Sequence, residues 1–440
     1  MARAACATWP LAPRKAARPN GTRRVCHLAA RPEPRRPSLW SASVLPPPPP
    51  AEEIARRIAA FQAGLQRDGL DAALIVQSAD LVYLSGTAQN AHLIVPAEGE
   101  PLLLVRRDLE RARAESALAQ VEPFTSLRAL PAALAQTRLP ERLRLGLELD
   151  VMPASSYLRY CGLLPGAEPA DCMPALWSAR SRKSAWELER IRLACAQTKA
   201  AMEYAPQLLA PGRLEVDILS ELGHHMRLQG HEGTIRFRGL NSEFLYGQVL
   251  AGESGPVPGP TETPLHGPGL STAQGRGPSR RPLRRGDAVV IDISGLAEGY
   301  VSDQTRTFFI GHADPALLAA YETCRRILAE CVALLVPGTP GSALYERALE
   351  VASEAGYAEN FMGAGEGRVR FVGHCIGLEL NEPPYLAHGQ AQPLEPGNVV
   401  AIEPKLAFTG LGAVGVENTY FLGDGGPVQL TGGSEEALIV

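Results

Sequence analysis

Asp287-Ala-Val-Val-Ile-Asp292-Ile-Ser294-Gly295-Leu-Ala297-Glu298-Gly299-Tyr300-Val-Ser-Asp303-Gln-Thr305-Arg306-Thr307-Phe308 holds two β-rich runs around a glycine-containing loop. That pattern predicts an antiparallel hairpin. A turn centred between Ala297 and Glu298 makes Asp292 and Asp303 directly opposed partners. Opposed side chains on one face have Cβ atoms about 4.5–5.5 Å apart. Two carboxylates that close repel, and one would ordinarily keep a proton. A divalent cation removes that cost.

The pattern recurs near the C-terminus. Val399-Val-Ala-Ile-Glu403-Pro404 and Gly415-Val-Glu417-Asn418-Thr419-Tyr-Phe421 flank a glycine-rich turn centred on Gly410, which again opposes two acids, Glu403 and Glu417. Between the hairpins, Phe371-Val-Gly373-His374-Cys-Ile-Gly377 sets a histidine in an apolar strand flanked by glycines. Four carboxylates and one imidazole form a hard, mostly oxygen-donor set whose charge two divalent ions would cancel. Two-metal hydrolytic sites hold their ions roughly 3.5–4 Å apart, a spacing that bridging carboxylates on adjacent strands can supply. For one hairpin alone, a pair of exposed strand carboxylates is the simpler reading. Two hairpins and a histidine together point to a metal centre.

The surrounding chain has 440 residues, 45% of them hydrophobic and 20% charged, with a net charge of −4. That is a soluble globular profile with room for two or three domains. No apolar run approaches the roughly 20 residues that span a bilayer, and the charge argues against nucleic-acid binding. The eight cysteines include no CxxC pair, so neither a structural zinc site nor a disulfide framework is signalled, and a reducing cytoplasm fits.

Residues 1–50 differ in texture, with nine Lys/Arg against one acid and eleven prolines, five of them consecutive at Pro46–Pro50. Such a segment predicts a disordered extension ending in extended polyproline. Its composition resembles a transit peptide, yet the prolines oppose the amphipathic helix that such peptides need. Residues 51–179 read as an α/β unit: a helix over Ala51–Arg67, β-type runs at 71–76, 81–84, 92–95, 101–105 and 143–149, and a helix near 108–119. Asp80, Asn90 and His92 read as solvated loop residues there. Residues 180–440 form the second unit. Ser184-Ala-Trp-Glu187 is a capping box, followed by the stripe Leu188, Ile191, Cys195, Thr198 and Met202 at helical spacing. Later helices are expected near 315–335 and 342–355.

In sequence, the second unit resembles the M24 metallopeptidase family, the pita-bread fold of methionine aminopeptidases, aminopeptidase P and prolidases. The family's D-x-G-x(4)-GY-x-x-D-x-TRTF signature falls on Asp292 to Phe308, with Ser294 at the first glycine. Its GHGIGL-x-x-HE-x-P segment falls on Gly373 to Pro384, and its closing elements on Glu403-Pro404 and Glu417-Asn418-Thr419. The resemblance implies an α+β pita-bread catalytic domain preceded by a smaller α/β creatinase-like N-terminal domain. It also implies the ligand roles: Asp292 on one metal, Asp303 and Glu417 bridging, His374 and Glu403 on the other. A water shared by the two ions is the implied nucleophile, and Glu403 the acceptor of its proton. The implied reaction is hydrolysis of the N-terminal peptide bond of short peptides, with Xaa-Pro as one option. Mn²⁺ or Co²⁺ suits the donors best, with Fe²⁺ and Zn²⁺ as alternatives. Relatives are often dimers through the N-terminal domain, so a homodimer is the expected assembly.

Three positions depart from the prolyl-cleaving members. Asn381 precedes Glu382 where those enzymes have histidine, and Gly415 stands where they have arginine. The loop Ser271–Ser279, where peptidases carry a substrate-contacting histidine, has Gln274 but no histidine. His266 is the nearest replacement, with an ordinary loop histidine as the alternative. Asn381 is a substrate-binding expectation. Tyr246 and Tyr385 lie near loops expected to border the site, as lining or as packing. His224, His225 and His231 read as helix-end residues, and Arg280, Arg281, Arg284 and Arg285 as a solvated loop. Two rival readings stay open: non-peptide chemistry on the same fold, of amidinohydrolase or dimethylsulfoniopropionate-lyase type, and a non-catalytic pita-bread binding protein.

Overall fold

The computed structural model describes residues 45–440, apart from 138, 141 and 242. The expected disordered extension therefore lies, up to residue 44, outside the described residues. At its far end Pro50 has φ −55° and ψ 147°, the extended geometry expected of a proline run. The helix Ala51–Arg67 begins directly after it.

Six strands follow: β1 (Ala72–Ile75), β2 (Ala91–Pro96), β3 (Leu102–Val105), β4 (Gln120–Pro123), β5 (Leu143–Leu147) and β6 (Ala167–Asp171). They form one mixed sheet in the order β4-β3-β2-β1-β5-β6. Its two faces follow the period-two alternation of strand side chains. Ala73, Ile75, Leu93, Val95, Leu103 and Val105 pack in one cluster with Ile54, Ile58 and Phe61 of the first helix. Ala72, Leu74, Ile94, Leu102 and Leu104 pack on the other side with Leu130, Leu134 and Tyr160. One expectation fails here. Leu81–Leu84 lies inside the helix Ser78–Ser85, not in a strand. The Gln77 side chain accepts from the backbone N–H groups of Ala79 and Asp80, and Gly86 closes the helix in the left-handed region. An apolar run of four residues carries no period of its own, so its caps decide.

The second half contributes β7 (Gly247–Ala251), β8 (Ala288–Ala297), β9 (Tyr300–Phe309), β10 (Phe371–Cys375), β11 (Glu382–Ala387), β12 (Val399–Ile402), β13 (Lys405–Phe408), β14 (Gly412–Gly415), β15 (Asn418–Gly423), β16 (Gly426–Gln429) and β17 (Leu438–Ile439). One sheet runs β17-β9-β8-β7 and another β11-β10-β12-β15-β16, with β13 and β14 as a separate pair. Helices Ala185–Tyr204 and Glu215–Leu228 cover the first sheet. Helices Pro315–Leu334 and Gly341–Glu354 pack with the second. The capping box is present: Glu187 N–H donates to Ser184 Oγ (3.1 Å) and Ser184 N–H to the Glu187 carboxylate (3.0 Å). All five residues of the expected helical stripe are buried.

A buried ion network joins the two halves. Arg180 reaches Asp80 (2.5 Å), Glu379 (3.0 Å) and Glu382 (2.5 Å), while Arg238 reaches Asp80, Asp150 and Glu379. The expectation of a solvated Asp80 is thus corrected, since it is fully buried between two guanidiniums. His92 is buried too, with Nε2 3.0 Å from the Tyr160 hydroxyl, whereas Asn90 is exposed as expected.

Candidate metal centre

The first hairpin forms, but one residue further along than the sequence suggested. Ala297 pairs with Tyr300, so the turn residues are Glu298 and Gly299, with φ of 47° and 82°. A two-residue turn with both φ positive matches the strand twist, and the glycine belongs at its second position. Asp292 therefore opposes Thr305, and Asp303 opposes Ser294. The two acids are diagonal rather than direct partners. Moving the turn by one residue shifts each pairing by two, so both acids stay on one face.

The second hairpin keeps the expected register. Ile402 pairs with Asn418 below the acids, and Lys405 with Gly415 above them, so Glu403 and Glu417 stand at the level between. His374 lies on β10, paired with Ala401 of β12 on one side and Tyr385 of β11 on the other. Its Nε2 is 3.5 Å from Glu403 Oε1. Ligand atoms of Asp303, His374 and Glu417 all lie within 4.8 Å of one another, close enough to share a metal ion.

The TRTF segment explains how two sheets deliver these groups to one place. Thr305 Oγ1 donates to Glu417 Oε2 (2.6 Å). Arg306 donates to the Glu417 carbonyl (2.8 Å) and to Asn418 Oδ1 (2.9 Å). Thr307 Oγ1 donates to the Gly415 carbonyl (2.8 Å) and accepts its N–H (2.9 Å). Three successive residues of β9 thus fix the segment between β14 and β15 that carries Glu417. Ser294 Oγ, where the family has glycine, donates to Asp303 Oδ1 (3.2 Å), and Gln248 donates to Asp292 Oδ2 (3.3 Å).

Sequence reasoning missed Lys405. Its ammonium is completely enclosed and contacts three of the four carboxylates: Asp292 Oδ2 (3.2 Å), Glu417 Oε2 (3.3 Å) and Glu403 Oε2. A Cβ at Gly415 would lie 2.6 Å from Lys405 Cγ, so the glycine makes room for the lysine stem. The signal was present: the pairing that opposes Glu403 to Glu417 also opposes Lys405 to Gly415, two residues on and on the same face.

The electrostatics follow from this crowding. Burial raises the Asp303 carboxyl well above its usual range, and Glu417 and Asp292 push it further. Burial, with Glu403 and Asp292, raises Glu417 to about 7 against the pull of Lys405. For Glu403, burial acts upward but Lys405 and His374 outweigh it, leaving the group at about 2. Burial lowers the His374 imidazole, and Glu403 more than offsets this, so the net shift is upward. Glu417 Oε1 is buried without any hydrogen-bond partner. An orphaned carboxylate oxygen on a residue grouped with a histidine and a second acid fits a cation, so the residues present suit at least one divalent ion.

The substrate-contact expectations land differently. His266 is buried, and its Nε2 engages the backbone of Thr261 (2.5 Å to the carbonyl oxygen) rather than any of the four acids or the His374 imidazole. Asn381 Oδ1 accepts from the Arg238 N–H (3.0 Å), which braces a loop. Tyr246 donates its hydroxyl to the Leu219 carbonyl (3.1 Å) and packs over Gly223, as a core residue does. Tyr385 alone stands beside the centre, as the strand neighbour of His374. His231 bridges the Ser294 carbonyl and the Gly233 N–H.

Residues 189–424 match the sequence profile of metallopeptidase family M24. The chain belongs to that family. Residues 57–182 match the creatinase/prolidase N-terminal domain, so the α+β pita-bread catalytic domain and its α/β partner are both present. M24 membership implies divalent metal ions. The chain is 29% identical over 411 residues to the probable dipeptidase PepE of Mycobacterium tuberculosis, covering 89% of this chain and 97% of that one. It is 25% identical over 382 residues to the Xaa-Pro dipeptidase of Pyrococcus furiosus, covering 85% and 97%. Its structure resembles dipeptidase PepE of Mycobacterium ulcerans with a TM-score of 0.74 and 27% identity, over 89% of this chain and 98% of the other.

Proposed function

We propose that this M24 metallopeptidase hydrolyses the N-terminal peptide bond of short peptides, dipeptides foremost, with Xaa-Pro among the sequences to be tried. The observation that carries this is the convergence of ligand atoms of Asp303, His374 and Glu417, one Glu417 oxygen being buried without a partner. The names of the relatives, dipeptidase and Xaa-Pro dipeptidase, support the substrate class. A divalent ion in such a centre supplies Lewis acidity, lowering the pKa of a water and polarising a carbonyl. The hard donor set favours Mn²⁺ or Co²⁺, with Fe²⁺ and Zn²⁺ as alternatives.

The chain's own residues divide the remaining work. Glu403, kept ionised by Lys405 and His374, is the proposed acceptor of the attacking water's proton. Thr305 and Ser294 hold Glu417 and Asp303 in orientation. Tyr385, beside His374, is the proposed wall of the substrate site. His266 and Asn381 contact backbone instead, so the recognition set differs from that of the prolyl-cleaving members. The resemblance also supports a homodimer through the N-terminal half. The six cysteines among the described residues are free thiols, which supports a reducing, cytoplasmic setting.

A panel of Xaa-Pro and Xaa-Ala dipeptides with added Mn²⁺ or Co²⁺, run beside Asp303→Asn, tests the proposal. Turnover that the variant loses supports it. No turnover on any dipeptide overturns it and favours non-peptide chemistry on the same fold.

A further inference from the structure

We infer that the centre holds one divalent ion, not two, and that the Lys405 ammonium occupies the neighbouring cation position. The inference rests on the reading of the acidic cluster as a metal centre and deepens it. Two groups of contacts carry it. Asp303, His374 and Glu417 present ligand atoms within 4.8 Å of one another, with Glu417 Oε1 unpartnered and the residue wholly buried. That is room for one ion. Beside it, Asp292, Glu403 and Glu417 are gathered on Lys405 Nζ instead. Asp292 and Glu403 are the two acids absent from the metal-sized group, and both are held by the ammonium.

Charge and space agree. Four carboxylates carry four negative charges; one divalent ion and one ammonium offset three of them. A second divalent ion added to the same cluster would turn the total positive and would sit against the ammonium. Divalent cations and ammonium groups compete for the same oxygens, and like charges at such separations repel strongly in a buried site. The lysine is also built in. Its stem fills the space that Gly415 leaves, and any side chain at 415 would begin 2.6 Å from Lys405 Cγ. Lys405 is paired in register with Gly415 on the β13–β14 ladder, which aims Nζ at the acids. Lys405 is a positioning residue here: it holds Asp292 and Glu403 where a second ion would otherwise hold them.

The test uses the full chain, stripped with chelator and titrated with Mn²⁺. Elemental analysis after desalting gives the stoichiometry, and electron paramagnetic resonance reports whether two ions are magnetically coupled. The expected result is one Mn²⁺ per chain with an isolated-ion spectrum for the wild type. Lys405→Met should take up a second ion and show a coupled spectrum. Two coupled Mn²⁺ in the wild type overturn this inference while leaving the metallopeptidase reading intact. A wild type that binds no Mn²⁺, Co²⁺ or Zn²⁺ overturns both. Should Lys405→Met not fold, the wild-type count and spectrum decide alone.

Discussion

Lys405 and Gly415 face each other across the β13–β14 ladder, and the lysine stem lies where a side chain at 415 would start. Gly415→Ala should therefore overpack the strand pair and lower stability by about 1–3 kcal/mol. Chemical denaturation measures it. In a double-mutant cycle with Lys405→Ala the two losses should not add, because removing the stem vacates the contested space.

The Thr305 hydroxyl meets the centre through its hydrogen bond to Glu417. Partners that orient a ligand typically account for 10–100-fold in metal affinity or activity. Thr305→Val should weaken Mn²⁺ binding by about that factor, with the fold unchanged by circular dichroism. Unaltered affinity in a folded variant would falsify the role assigned to this hydroxyl.

Asp303→Asn removes a charge from the metal-sized triad itself. Its effect on dipeptide turnover and on metal retention should exceed that of Thr305→Val, by more than about 100-fold overall. A variant that keeps its metal and its activity would contradict the placement of Asp303 in the centre.

Asp80 stands between Arg180 and Arg238 in the network that joins the two halves. Breaking a buried pair by removing one partner costs about 3–5 kcal/mol. Asp80→Ala should lose stability on that scale in urea denaturation, and a loss below 1 kcal/mol would place the network among the weak surface pairs.

Glu382 of the same network provides a pH signature. Burial acts upward on its carboxyl, but Arg180 and Lys183 outweigh it and hold the group at about 2, against an ordinary 4.5. A depressed folded-state pKa means that the unfolded chain binds the proton first as acid is added. The stabilisation is complete above about pH 4.5 and is lost as pH falls toward 2. Glu382→Gln should flatten the wild-type decline across that window, read as denaturation midpoint against pH.

How much of this was legible in the chain depends on distance along it. The register of Glu403 and Glu417 could be read because Gly410 centres a local turn, and the helix Ala51–Arg67 because its periodicity is its own. The first hairpin slipped by one residue because the left-handed Glu298-Gly299 turn, not symmetry, sets the pairing. Leu81–Leu84 was hidden by its shortness. Lys405 was within reach of the same arithmetic that placed the glutamates, yet a lysine among expected metal ligands runs against expectation. Asp80, Arg180 and Arg238 meet across 100 and more positions of chain, and no local pattern announces such a meeting.

The first helix reaches the tip of the β8–β9 hairpin: Arg57 Nη2 donates to the Tyr300 hydroxyl (2.8 Å), which donates in turn to Glu187 (3.1 Å). The front of the polypeptide is thereby a splint for the working half. Grafting that half, which brings Glu187 and Tyr300 with it, onto a foreign leader would have to supply an equivalent of Arg57, or the tip of the hairpin would lose its brace.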